Sequence, residues 1–270
     1  MKKLMLLLKA EMEVPQVLGT FHIVAILLTL ITTVVICLLF HNADEKTFRV
    51  VIVTIWAIMF TMEAVRQFSV SYTFQEDGSL SWRYDWGKFP LQLCDSPLYV
   101  LLPIALMKDG KVRDAFSFYS VTYVLLGGVS TYVLISTTFG PYVYLNVQTL
   151  AHHGLQIVSA MLILMHNRKR LSWLGFRNAI FVFLGVVTAA TLFNVIMHWI
   201  VPDQVINMCF ISPYFKKTMP ILNDAWHALH WAPTILLYVF GVTFLAFLLF
   251  WLYRGIFRRH SEPAKIAQNA

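Results

Sequence analysis

The sequence predicts an all-α, polytopic membrane bundle of about seven transmembrane helices. Three observations carry that expectation. Hydrophobic residues make up 58% of the 270-residue chain and charged residues only 13%, against about 45–50% and about 25% in soluble domains. Seven separate stretches approach or exceed the roughly 17–25 apolar residues of a bilayer-crossing helix. Basic residues are shared unevenly between the loops, seven on the side of the N-terminus and thirteen on the other. The richer side is expected to be cytoplasmic, which leaves the N-terminus outside and the C-terminus inside. The formal charge of +7 then reports topology and lipid headgroups, and a nucleic-acid partner is not expected. Three cysteines, odd in number and without paired spacing, suggest neither a disulfide framework nor a thiolate zinc site.

The elements follow in order. Residues 1–16 carry Lys2, Lys3 and Lys9 around a short apolar run, too short for a signal peptide, and are expected to lie along the membrane surface. The transmembrane domain, residues 17–254, holds spans at Val17–Phe40, Val50–Val70, Pro90–Met107, Ala115–Ile135, Leu150–His166, Ala179–Ile200 and Pro233–Tyr253. Only the Val201–Ala232 loop is long enough to hold structure of its own. Residues 255–270 form a basic cytoplasmic tail.

Polar groups inside spans are costly, so each is a functional candidate. Here they gather towards one face of the membrane: Glu63, Arg66 and Gln67 late in the second span, Gln92, Cys94 and Asp95 early in the third, His152, His153 and Gln156 early in the fifth, and Asn194 and His198 late in the sixth. At 1.5 Å per residue they share a layer roughly 10 Å deep. A polar cavity opening towards that leaflet is the expected consequence. Glu63 and Arg66, three apart on one helix face, suit a structural ion pair, with a phosphate anchor on Arg66 as the alternative. Cys94 lies between Pro90, expected to open a helix, and Pro97, expected to bend it. A helix start favours a thiolate, whereas Asp95 sets a negative charge beside it. By spacing alone a membrane cysteine is more often a small apolar filler. Either His152 or His153 would serve as proton acceptor for Cys94 if the third and fifth spans touch. His198, Asp224, His227 and His230 form a weaker, alternative metal set. Gly127-Gly128 marks a close helix approach.

Several strings carry a family resemblance: Phe-Pro-Leu-Gln-Leu-Cys-Asp at 89–95, Leu-Leu-Gly-Gly-Val at 125–129, His-His-Gly-Leu at 152–155, Asn194, and Asn207-Met-Cys-Phe. Together they resemble the bacterial YwaF-like integral membrane family over roughly Val50 to Tyr253. The chain departs at Met208, where a tyrosine is usual. That family is similar, more distantly, to an animal seven-span acyltransferase that builds ether phospholipids. The resemblance implies a bacterial cytoplasmic-membrane protein with Cys94 as nucleophile and His153 as its histidine. A lipid acyltransferase is then the leading expectation, with membrane phospholipid as partner and no cofactor. Gln92, Gln156 and Asn194 would stabilise the oxyanion and Arg66 the phosphate. The rivals are a metal-dependent lipid hydrolase and a non-catalytic transporter or lipid-binding protein.

Overall fold

The computed structural model describes residues 1–134, 138–168, 171–215 and 220–258. Helices α1 (Lys2–Leu8), α2 (Thr20–Phe40), α3 (Glu45–Ser71), α4 (Pro97–Leu106), α5 (Lys111–Tyr119), α6 (Leu125–Val133), α7 (Val143–Asn167), α8 (Trp173–Ile200), α9 (Pro220–Leu229) and α10 (Trp231–Arg258) run in that order. One antiparallel hairpin, β1 (Tyr72–Phe74) with β2 (Leu80–Trp82), interrupts them in the register Tyr72↔Trp82. Among the described residues five helices are long and apolar enough to cross a membrane: α2, α3, α7, α8 and α10.

The order of burial explains the sequence pattern. α2 is the most apolar and is largely exposed or part-buried; only His22 is fully buried on it. α7 is the least apolar of the five and the most buried. It is the central helix, packed by α2, α3 and α6. The faces of a helix that are buried among other helices have no need to be apolar, which is why Asn146, Gln148, His152, His153, Gln156 and Ser159 are tolerated there. α7 also starts at Val143 rather than at the expected Leu150, because its polar first turns are buried in protein and were invisible to an apolar count.

Two prolines set the third element differently from expectation. Pro90 does not open a helix. Gln92 is extended, φ −75° and ψ 161°, and Pro97 takes the favoured first helical position, so regular helix begins only at α4. Cys94 therefore lies in a 3₁₀ turn, Leu93–Asp95, ahead of the helix rather than inside it. Between α5 and α6 the chain continues helically through a π turn, Ser120–Val124. α8 and α10 begin earlier than their apolar runs, at Trp173 and Trp231. The Ser172 hydroxyl caps α8 by accepting from Gly175 N at 3.1 Å.

Two apolar clusters hold the bundle. One joins α5, α8 and α10 through Tyr119, Tyr123, Phe183 and Phe250. The other joins α3, α4 and α7 through Phe48, Met59, Leu101 and Leu162. Gly175 is required in the first: a Cβ there would lie 2.3 Å from the Phe118 ring. The N-terminal segment is packed rather than merely surface-bound. Met5 is fully buried, and Met12 N donates to Pro141 O at 2.8 Å while Val143 N donates to Ala10 O at 3.0 Å. Ile135 and the 259–270 part of the basic tail lie outside the described residues.

Candidate functional site

The site is built where the end of α3, the 3₁₀ turn before α4, the first half of α7 and the loop after α8 meet. Arg66 forks onto Glu63, Nε to Oε2 and Nη2 to Oε1, both at 2.7 Å. Its Nη2 also donates to Lys88 O at 3.1 Å. Gln67 donates to Glu63 Oε1 and to Lys88 O, each at 2.6 Å, and accepts from Tyr84 OH at 2.7 Å. Gln148 reaches Glu63 Oε2 from α7 at 3.4 Å. A buried charge is tolerable only when paired and hydrogen-bonded, and Glu63 is both. Arg66 is thereby committed to Glu63 and to the Lys88 carbonyl.

The 3₁₀ turn is fixed from three sides. Asp95 Oδ2 accepts from Gln92 N at 2.9 Å. Gln156 Nε2 and His152 Nε2, both from α7, donate to the Cys94 carbonyl, His152 at 3.3 Å. Tyr119 OH, just before the π turn, donates to Ser96 Oγ at 2.9 Å. Gly127 faces the same point: a Cβ there would sit 3.9 Å from Cys94 Cα and 3.7 Å from Gln156 Oε1. Gly128 lets α6 approach α7, since a Cβ would lie 3.0 Å from His153 O. Cys94 itself is half-buried.

The two histidines are held differently. His153 Nδ1 donates to Thr149 O at 2.7 Å. A carbonyl only accepts, so the proton is on Nδ1, and in the neutral ring Nε2 is an acceptor. His152 donates through Nε2, so its Nδ1 is the acceptor. His153 Nε2, His152 Nδ1 and Gln156 Oε1 are all buried without a hydrogen-bond partner among the described residues. The rings stand edge to face, 5.7 Å apart between centroids.

The remaining candidates hold the loop after α8. Asn194 Nδ2 donates to Met208 O at 3.0 Å, and Asn194 Oδ1 accepts from Met208 N at 2.7 Å. Gln92 Nε2 donates to Asn207 O at 3.2 Å, and its Oε1 accepts from Cys209 N at 2.6 Å. These amides fix Cys209 and Phe210 in left-handed conformations, φ 52° and 57°. Composition and spacing give no sign of this clamp.

A polar recess of about 800 Å³ lies between the hairpin and this loop, bounded by Tyr84, Lys88, Gln204 and Asn207; Glu63, Arg66, Cys94, His152, His153 and Gln156 do not line it, so it is not the cavity expected at those residues. The alternative metal set does not assemble. Among the described residues no three His, Cys, Asp or Glu side chains converge. His198 instead stacks on Tyr214 at 3.8 Å, and Asp224, His227 and His230 are exposed.

The TMEM164 family profile matches residues 17–254. The chain belongs to the TMEM164 family. No curated relative and no solved structure matches it. The matched stretch takes in every candidate residue from Glu63 to His230, and it stops short of the basic tail. This TMEM164-family chain is an integral, multi-pass membrane protein.

Proposed function

We propose that this TMEM164-family protein is a lipid acyltransferase that carries the acyl group on Cys94. The observation that carries the reading is the fixed tautomer of His153. Its Nδ1–H is tied to Thr149 O, so a buried Nε2 acceptor stands in the same cluster as Cys94. A base whose second nitrogen is tied down is the usual partner of an activated thiol, and the neighbouring His152 is the histidine that meets the Cys94 segment, through the Cys94 carbonyl. The resemblance to the YwaF-like family and to the animal acyltransferase supports the same pair.

In this reading His153 Nε2 takes the Cys94 proton as sulfur attacks a phospholipid ester carbonyl. The C–O bond breaks, a thioester forms, and the proton returns to the departing alcohol. A second lipid alcohol then attacks the thioester by the reverse sequence. His152 and Gln156 hold the Cys94 main chain. The second amide hydrogen of Gln156 is the candidate donor for the oxyanion. Gln92 and Asn194 act through the loop they clamp, and Arg66 through the ion pair it forms.

The topology belongs to the same proposal. The helical stretch Lys111–Val133 passes through its π turn as one span and Leu93–Leu106 as another, which with the five long helices makes seven. An odd number puts the termini on opposite sides, the N-terminus outside, in a bacterial cytoplasmic membrane. The test is acyl exchange from labelled phospholipid in proteoliposomes. Cys94→Ala abolishes it, and His153→Ala lowers it by about 10²–10⁴-fold. Exchange unchanged in Cys94→Ala contradicts the proposal. A non-catalytic lipid-binding or transport role draws on the 800 Å³ recess; uptake of a labelled substrate that survives Cys94→Ser favours it.

A further inference from the structure

The membrane face opposite the Cys94 cluster carries two bases that the protein does not neutralise. α7 ends there at Asn167, α8 starts there at Trp173, and α10 ends there at Arg258. The described carboxylates of that face are Asp44, Glu45, Asp109 and Asp114. Asp44 caps α3 through Thr47 N. Glu45 pairs with Arg49 and Arg113, and Asp109 with Arg113. Arg168 donates to Met165 O at 2.6 Å and to Asn42 Oδ1 at 3.1 Å. Arg49, Arg113 and Arg168 are thus spent inside the protein. Among the described residues Arg177 on α8 and Arg254 on α10 have no ion pair, and Asp114 has none either.

An aromatic shelf joins these two bases. The Arg254 guanidinium carbon stands 4.9 Å from the centroid of the Trp173 ring and 5.9 Å from that of Phe250. Trp173 meets Phe250 edge to face at 4.9 Å, so both helices build the shelf. A ring face attracts a guanidinium but accepts none of its five N–H donors. Arg177 is four residues beyond Trp173, which puts both on one face of α8. The shelf opens outwards: Trp173 is 50% and Trp251 64% exposed, Arg177 is exposed and Arg254 half-buried.

Depth and charge select the occupant. The apolar run of α10 ends at Tyr253, one residue before Arg254. The guanidinium therefore stands at the border of hydrocarbon and headgroups, and exposed tryptophans mark the same border. A guanidinium fork matches two oxygens of a phosphate. Basic positions between spanning helices at this level suit lipid headgroups, and each base near the surface favours an anionic lipid over a zwitterionic one by about fivefold.

We propose that the α8–α10 seam binds one anionic glycerophospholipid, with Arg254 and Arg177 both donating to its phosphate beside the Trp173 shelf. The site is across the membrane from Cys94, so it stands whether or not Cys94 is catalytic.

The test uses the full chain in nanodiscs of phosphatidylglycerol and phosphatidylcholine in equal parts, released into native mass spectrometry. Retained phosphatidylglycerol is expected to exceed retained phosphatidylcholine at least about tenfold, two bases acting together. Arg254→Gln and, separately, Arg177→Gln each lower that excess about fivefold. Arg177 is exposed, so its variant keeps the test decisive where loss of the Arg254 stacking unfolds the protein. Lys46→Gln removes an exposed base from the same face away from the seam, and is expected to change the excess by less than about twofold. Cys94→Ala leaves the excess unchanged. Equal retention of the two lipids overturns the proposal. So does an excess kept in either folded arginine variant, or one lost as fully in Lys46→Gln, which would report the general attraction of a basic face.

Discussion

Asn194→Leu tests the loop clamp most sharply. Leucine keeps the branched heavy-atom outline of asparagine, though it is bulkier, and removes both polar atoms. The wild-type side chain satisfies both main-chain groups of Met208, at 3.0 and 2.7 Å. Asn194 and Met208 are each fully buried, so no water replaces the lost bonds. A buried main-chain group left without a partner costs about 1–3 kcal/mol, so two cost about 2–6 kcal/mol. The left-handed Cys209 and Phe210 add strain of about 1–3 kcal/mol each, which the freed loop relaxes by opening. Thermal unfolding in detergent reads the global loss, and limited proteolysis within residues 203–212 reads the local one. Gln92→Leu acts on the same loop through Asn207 O and Cys209 N. The double variant is therefore expected to lose less than the two single losses added, with a coupling of about 0.5–3 kcal/mol. Stability of Asn194→Leu within about 0.5 kcal/mol of wild type, the range of an unremarkable surface change, refutes the clamp.

Three further outcomes follow from other parts of the molecule. Gly175→Ala places a methyl against the Phe118 ring, 2.3 Å from its nearest atom, and destabilises the α5–α8 contact by about 1–3 kcal/mol through overpacking, measured by denaturation. Glu63→Gln strips the anionic partner from Arg66, whose side chain is 18% exposed against 4% for Glu63. The expected loss is about 3–5 kcal/mol, whereas the same change at exposed Glu76 leaves stability unaltered. At the opposite end of α3 the Asp44 carboxylate accepts from Thr47 N at 2.7 Å, which holds it below the usual carboxylate range. A lowered folded value means the cap contributes above the unfolded value of about 3.9 and fails as pH falls through the folded one. Amide exchange in the first turn of α3 is therefore expected to accelerate below about pH 4, with no change between pH 5 and 7.

What the sequence disclosed depends on the kind of physics involved. α2, α3, α8 and α10 are legible because lipid demands apolar surface, and the apolar runs record that demand directly. α7 is legible only in part. Its first turns are polar, buried and satisfied inside the protein, so hydropathy sees them as loop. The gathering of Glu63, Arg66, Gln92, Asp95, His152 and Gln156 into one layer follows from depth along each span, which residue counting supplies. Which of them touch does not follow. The contact of His152 and Gln156 with the Cys94 carbonyl depends on how α7 is rotated and on where helix resumes at Pro97. No spacing within one span encodes either. The task of Asn194 was hidden for the same reason, since its partner is a main-chain unit fourteen residues on.

The central claim is that Cys94 carries an acyl group. Its most direct test is intact mass spectrometry of the purified protein after incubation with phospholipid, before and after hydroxylamine, for wild type, Cys94→Ala and His153→Ala. The account predicts a fatty-acyl mass on wild type that hydroxylamine removes. It is absent from Cys94→Ala, sharply reduced in His153→Ala, and exchanges with labelled phospholipid during turnover. No adduct on wild type, or the same adduct on Cys94→Ala, contradicts it.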